Sequence, residues 1–201
     1  MKGALREVIE TIALTAIVFL LVHSLVQNFK VEGSSMEPTL HTGQYLLVNK
    51  AAYLKIDTDL LNFIPAISKI SLPKWFNFEP FGSPKPGDVV VFRYPQDPQK
   101  DFIKRVIAGP GDTVQVKSGQ IWVNGRIIDE PYLQDHPSYT VALQTVPPNN
   151  YFVLGDNRNN SSDSHVWGLV PRENIVGKAW VIYWPFRNMG LVFNYALAVG
   201  P

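Results

Sequence analysis

Ile121-Trp122-Val123-Asn124-Gly125-Arg126-Ile127-Ile128 is the stretch that decides the fold class. Runs of β-branched and aromatic residues flank an Asn-Gly pair, and both residue types tolerate the positive φ that the central positions of a two-residue hairpin require. The stretch reads as two antiparallel strands. Outward from it, the same composition recurs in short segments between turn signals: Gln44–Lys50, Asp88–Tyr94, Phe102–Ile107, Thr113–Lys117, Tyr151–Leu154 and Ile175–Trp184. Pro86-Gly87-Asp88 and Gly109-Pro110-Gly111-Asp112 stand just before strands. No 20- to 50-residue period repeats, and no amphipathic helical run alternates with the strands, which argues against a parallel α/β sheet. The expected fold is mainly β, an antiparallel domain.

In front of it, Thr11 to Phe29 runs for 19 residues without a formal charge. At about 1.5 Å per residue that length just spans the roughly 30 Å hydrocarbon layer. No small-x-small cleavage site follows, so the segment reads as a retained anchor rather than a removed leader; a core helix of a soluble protein is the competing reading. Lys2 and Arg6 precede the run and only Lys30 follows closely, so the positive-inside rule favours a cytoplasmic N-terminus. The resulting plan is a cytoplasmic stretch over 1–10, a transmembrane anchor over 11–29 and an extracytoplasmic β-rich domain over 30–201. Within that domain, residues 55–85 mix large apolar residues with four prolines. They form either an excursion folded back on the domain or an aromatic-rich edge at the lipid headgroups.

Composition narrows the function. The 201 residues suffice for one core, and 18 Lys plus Arg against 17 Asp plus Glu leave no basic excess for nucleic acid. Charged residues at 17% beside 46% hydrophobic ones suggest that part of the apolar surplus faces lipid. Without cysteine there is no disulfide scaffold, thiol nucleophile or Cys-ligated metal. P-loop, dinucleotide and His-Glu-x-x-His motifs are missing, and the histidines (23, 41, 136 and 165) are scattered, so neither a metal nor a cofactor is expected.

Three stretches can carry chemistry. Glu32-Gly33-Ser34-Ser35-Met36-Glu37-Pro38-Thr39-Leu40 holds serines on a loop soon after the anchor. In Phe102-Ile103-Lys104-Arg105-Val106-Ile107, strand alternation puts Lys104 on one face with Phe102 and Val106, and Arg105 on the other. An ammonium among apolar neighbours loses solvation and becomes a general base if its pKa falls toward 7; the alternative is an edge lysine reaching water. The third stretch, Gly155 to Gly168, is polar and reads either as a solvated loop or as a hydrogen-bonded floor for a catalytic group.

Taken together, Ser35-Met36-x-Pro38-Thr39, Phe102-Ile103-Lys104-Arg105-Val106 and Gly155-Asp156-Asn157-Arg158 through Asp163-Ser164, in this order behind an N-terminal anchor, resemble type I signal peptidases. Pro86-Gly87-Asp88-Val89-Val90 looks like a further conserved strand of that family. The resemblance implies a Ser/Lys-dyad endopeptidase with no cofactor, whose partners are the bilayer and preproteins carrying signal peptides cut after a small-x-small pattern. It implies Ser35 as nucleophile and Lys104 as general base, Ser161 hydrogen-bonded to the lysine, and Asp163 structuring the site near Arg105. Val31, Met36, Leu40 and Ile103 match positions expected to line shallow substrate pockets. Gly33 stands where some members carry an oxyanion-stabilising serine, leaving the Ser35 backbone N–H as donor. His165 replaces the arginine of many bacterial members, and Asp163-Ser164-His165-Val166-Trp167-Gly168 resembles the cyanobacterial and plastid branch, pointing to a plasma or thylakoid membrane. Two other functions compete: a triad of Ser35 with His41 or His165 and Asp156 or Asp163, and a membrane-tethered binding module without chemistry.

Overall fold

The computed structural model describes residues 2–54, 82–195 and 197. Helix α1 (Lys2–Leu25) carries the apolar run, and none of its Arg6–Leu25 portion is buried. A core helix is thereby excluded, since Phe19 and Leu20 are 67% and 63% exposed. Twenty residues at about 1.5 Å each reach about 30 Å, enough to cross a bilayer. The helix ends earlier than the sequence suggests. Val26–Phe29, read as the end of the anchor, belong with Lys30 to strand β1 (Val26–Lys30). Uncharged residues such as Gln27 and Asn28 suit both elements. Pairing decides, because β1 runs antiparallel to β2 (Tyr45–Asn49) from Val26↔Asn49 to Lys30↔Tyr45.

The remaining strands are β3 (Val89–Tyr94), β4 (Asp97–Ala108), β5 (Thr113–Lys117), β6 (Gln120–Val123), β7 (Arg126–Ile127), β8 (Val141–Thr145), β9 (Asn150–Leu154), β10 (Val170–Pro171), β11 (Ile175–Trp184) and β12 (Gly190–Leu191), with a one-turn helix α2 (Ser164–Trp167) after β9. Among the described residues they form two sheets with antiparallel pairing throughout. The larger has the order β1-β2-β11-β3-β4-β9-β10, with β12 on β11; the smaller is β7-β6-β5-β8. The hairpin forms as read: Asn124 and Gly125 take φ of 51° and 77°, and Val123 pairs with Arg126. The expected excursion over 55–85 lies outside the described residues except at 82–85.

Alternation on β4 sorts the interior. Ile103 packs with Val31, Met36, Leu40 and Val91 on one face of the large sheet, whereas Val106 packs with Val90, Phe92 and Val153 on the other. Where β4 and β9 run past the large sheet, Ile107, Phe152 and Leu154 join Val114, Val116 and Ile121 in a core shared with the small sheet. Phe152 is fully buried there. Phe152→Ala is expected to destabilise the fold by about 3–5 kcal/mol, read as a lower denaturant midpoint in detergent.

Candidate active site

Ser35 is delivered by the strand that leaves the helix. Beyond β1 the pairing continues through Val31 N–H to Gln44 O (2.8 Å), and the chain then turns at Gly33 into a loop pinned by the buried side chains of Met36 and Leu40. The other wall is the loop after β9. Asn157 N–H donates to Ser35 O at 3.0 Å, Asn157 Nδ2 to Ser34 O at 3.2 Å, and Asn160 Nδ2 to Ser34 Oγ at 2.8 Å. Gly155 lets the walls meet: a Cβ there would lie 2.2 Å from Ser161 Oγ and 2.4 Å from Ser35 O.

Lys104 comes from β4, paired with Val90 of β3, and is 4% exposed. A lysine reaching water is therefore ruled out. Its Nζ lies 2.7 Å from Ser35 Oγ, 2.9 Å from Ile103 O and 5.4 Å from the Phe102 ring centroid. Burial pushes the Lys104 amine down to about 8, against the opposing pull of the Asp163 and Asp156 carboxylates.

On the other face of β4, Arg105 is fully buried and grips Asp156 with a two-pronged fork, Nε to Oδ1 at 2.8 Å and Nη2 to Oδ2 at 2.7 Å. Its Nη1 donates to Gly87 O and Phe193 O, and the guanidinium lies 4.1 Å from the Tyr132 ring centroid. Asp156 also accepts from Thr39 Oγ1 at 2.6 Å, which ties the Ser35 loop to β4 through Arg105. A buried charge pair of this kind holds its geometry because removing one partner strands the other. Arg158 makes a second fork, with Glu130, and donates to Gly155 O.

A cavity of about 520 Å³ opens beside the Ser35–Lys104 pair, lined by Phe29, Lys30, Glu32, Gly33, Ser34, Asp101, Phe102, Ile103, Asn160 and Ser162. Among the described residues, the strand pairs along Asp101–Lys104 with β3 on one side only, because β9 joins β4 from Arg105 onward.

A family model described as signal peptidase, peptidase S26, matches residues 5–184. The chain belongs to that family. It is 37% identical over 195 residues to signal peptidase I of Leptolyngbya laminosa, covering 92% of this chain and 83% of the relative. To the probable signal peptidase I-2 of Synechocystis it is 39% identical over 172 residues, 83% of this chain and 66% of that one. A crystal structure of a signal peptidase I from Enterococcus faecalis aligns at 31% identity over 48% of this chain and 97% of its own, with a TM-score of 0.41. Two cyanobacterial relatives thus agree with the branch to which residues 163–168 point. As a member of the signal peptidase family, the chain is a serine endopeptidase of a membrane-associated class, and its N-terminal apolar helix fits that class.

The structure brings Ser35, Lys104, Ser161 and Asp163 together but alters three details of this signal peptidase site. Ser161 Oγ is buried with no partner among the described residues. The expected bond to Lys104 is not made, since the described contacts of the amine are Ser35 Oγ and Ile103 O. Arg105 takes Asp156 as its carboxylate, whereas Asp163 accepts from Gly155 N–H at 2.9 Å and holds the His165 ring at 2.6 Å. Val31, Met36 and Leu40 lie in the core behind the cavity; of the four expected pocket residues, only Ile103 lines it. These three side chains pack against Leu46 and Val48 of β2 and Ala179 and Ile182 of β11, which takes them out of water. Phe29 lines the cavity instead, a residue that the sequence assigns to the anchor. Neither competing histidine bonds Ser35: His41 sits 3.6 Å from Glu37, and His165 is held by Asp163. Gly155→Ala is expected to force the two walls apart and lower kcat by about a hundredfold or more, measured on a preprotein in detergent.

Proposed function

We propose that this chain removes N-terminal signal peptides from preproteins, with Ser35 as nucleophile and Lys104 as the base. The observation that carries the reading is the 2.7 Å contact between Ser35 Oγ and a buried Lys104 Nζ. An amine titrating at about 8 is neutral in about a tenth of molecules at pH 7, against about three in ten thousand for one titrating at 10.5. Neutral Lys104 accepts the Ser35 proton as Oγ attacks the scissile carbonyl, then hands it to the departing amine. The neutral amine next takes a proton from water, whose hydroxide attacks the acyl ester, and returns it to Ser35 Oγ as the acid leaves. The Ser35 backbone N–H has no hydrogen-bond partner among the described residues and is available to the developing oxyanion.

The substrate lies extended against the unpaired side of Asp101–Lys104, adding a strand to β4. Phe29 and Ile103 bound the apolar part of the cavity and favour small side chains next to the cut, consistent with a small-x-small preference. Residues 1–10 stand in the cytoplasm, α1 crosses the membrane, and the catalytic domain from residue 30 lies on the outer side, where a signal sequence leaves the bilayer. The charges Lys2 and Arg6 before the span support that orientation. The membrane is the plasma or thylakoid membrane of the branch.

Incubation with a preprotein in detergent tests the assignment. Ser35→Ala and Lys104→Arg are each expected to lose at least about 10⁴-fold in kcat while still binding the substrate; full activity in either overturns it. The acid limb of the wild-type rate should rise with a midpoint near pH 8, since deprotonation of Lys104 generates the base. A rate that is flat from pH 6 to 9 contradicts that role.

A further inference from the structure

Two carboxylates act on the Lys104 amine, and they are neutralised differently. Asp156 is clasped by Arg105, whose charge is fixed. Asp163, with a fully buried side chain, has no arginine or lysine partner among the described residues; its partner is the His165 imidazole, Nδ1 to Oδ1 at 2.6 Å. The ring is held in that pose by Tyr139, stacked 3.8 Å away with planes 9° apart, and its side chain is 18% exposed, so it can exchange protons with solvent. The remaining charged or titratable groups of this corner are Tyr139 itself, whose hydroxyl is kept protonated by burial, and the Arg158–Glu130 pair, which together are neutral.

We infer that His165 is a positioning residue for the proposed base: through its bond to Asp163 it sets how much negative charge faces Lys104, and hence the pH at which that lysine starts to act. The inference rests on the Ser35/Lys104 reading above. With His165 neutral, the Asp163 charge is uncompensated and favours the ammonium form of Lys104. With His165 protonated, the pair is neutral, and burial alone governs the amine.

The test compares pH–rate profiles of the full-length wild type, His165→Gln and His165→Arg on one preprotein in detergent. Gln keeps a hydrogen-bond donor without charge, and Arg supplies a permanent cation. The Arg profile should have its midpoint about one pH unit below the Gln profile. Coincident Gln and Arg profiles overturn the inference, as does a His165→Arg chain that unfolds as cooperatively as the wild type yet does not cleave. If His165→Arg does not fold, His165→Lys replaces it with the same expectation. Cleavage that persists in Ser35→Ala counts against the parent reading instead; coincident profiles in chains that still need Ser35 count only against His165.

Discussion

An amine kept out of water, 2.7 Å from one hydroxyl, is the contact on which the rest of this molecule depends. Holding Lys104 so that its proton leaves at about 8 instead of 10.5 corresponds to about 3 kcal/mol of lost solvation of the charged form. That cost has to be met by packing elsewhere. β9 joins β4 only from Arg105 onward, so at Lys104 the amine is shielded by its contacts: Ser35 Oγ and Ile103 O lie within hydrogen-bond reach, and the Phe102 ring stands 5.4 Å away. The opposite face carries Arg105, whose buried fork to Asp156 fixes the height of the strand relative to the loop that follows β9.

Ser35 is brought to that strand by sequence-distant segments. The chain leaves the helix, pairs with β2, and reaches Ser35 about ten residues after the end of α1, so the site stands close to where the helix ends. Asn157, Asn160 and Thr39 with Asp156 stitch the serine loop to the loop after β9, and Gly155 leaves room for the seam. β1 is outermost and β4 four strands away, yet residues of both line one cavity.

Much of this was legible in the residues. Asn124-Gly125 announced a hairpin because turn chemistry is local, and the placing of Lys104 and Arg105 on opposite faces followed from the two-residue repeat of a strand. The three motifs named the serine and the lysine that the fold brings within 2.7 Å of each other. What the sequence did not reveal depends on partners distant in the chain. Val26–Phe29 is apolar enough for an anchor, and only β2 makes it a strand. Val141–Thr145 alternates weakly and is defined by its pairing with β5. Asp156 and Asp163 are equally acidic and seven residues apart, so nothing local says which one takes Arg105. Val31, Met36 and Leu40 carry pocket-like side chains, but the loop that bears them folds inward.

The central claim is that burial brings the proton loss of the Lys104 amine down from 10.5 to about 8. The direct measurement is a pH titration of the lysine side-chain amines by ¹⁵N NMR in detergent, with Lys104→Met used to assign the missing signal. A resonance titrating near pH 8 that vanishes in Lys104→Met is the predicted result; a Lys104 signal that titrates near 10.5, like that of an exposed lysine, contradicts the account.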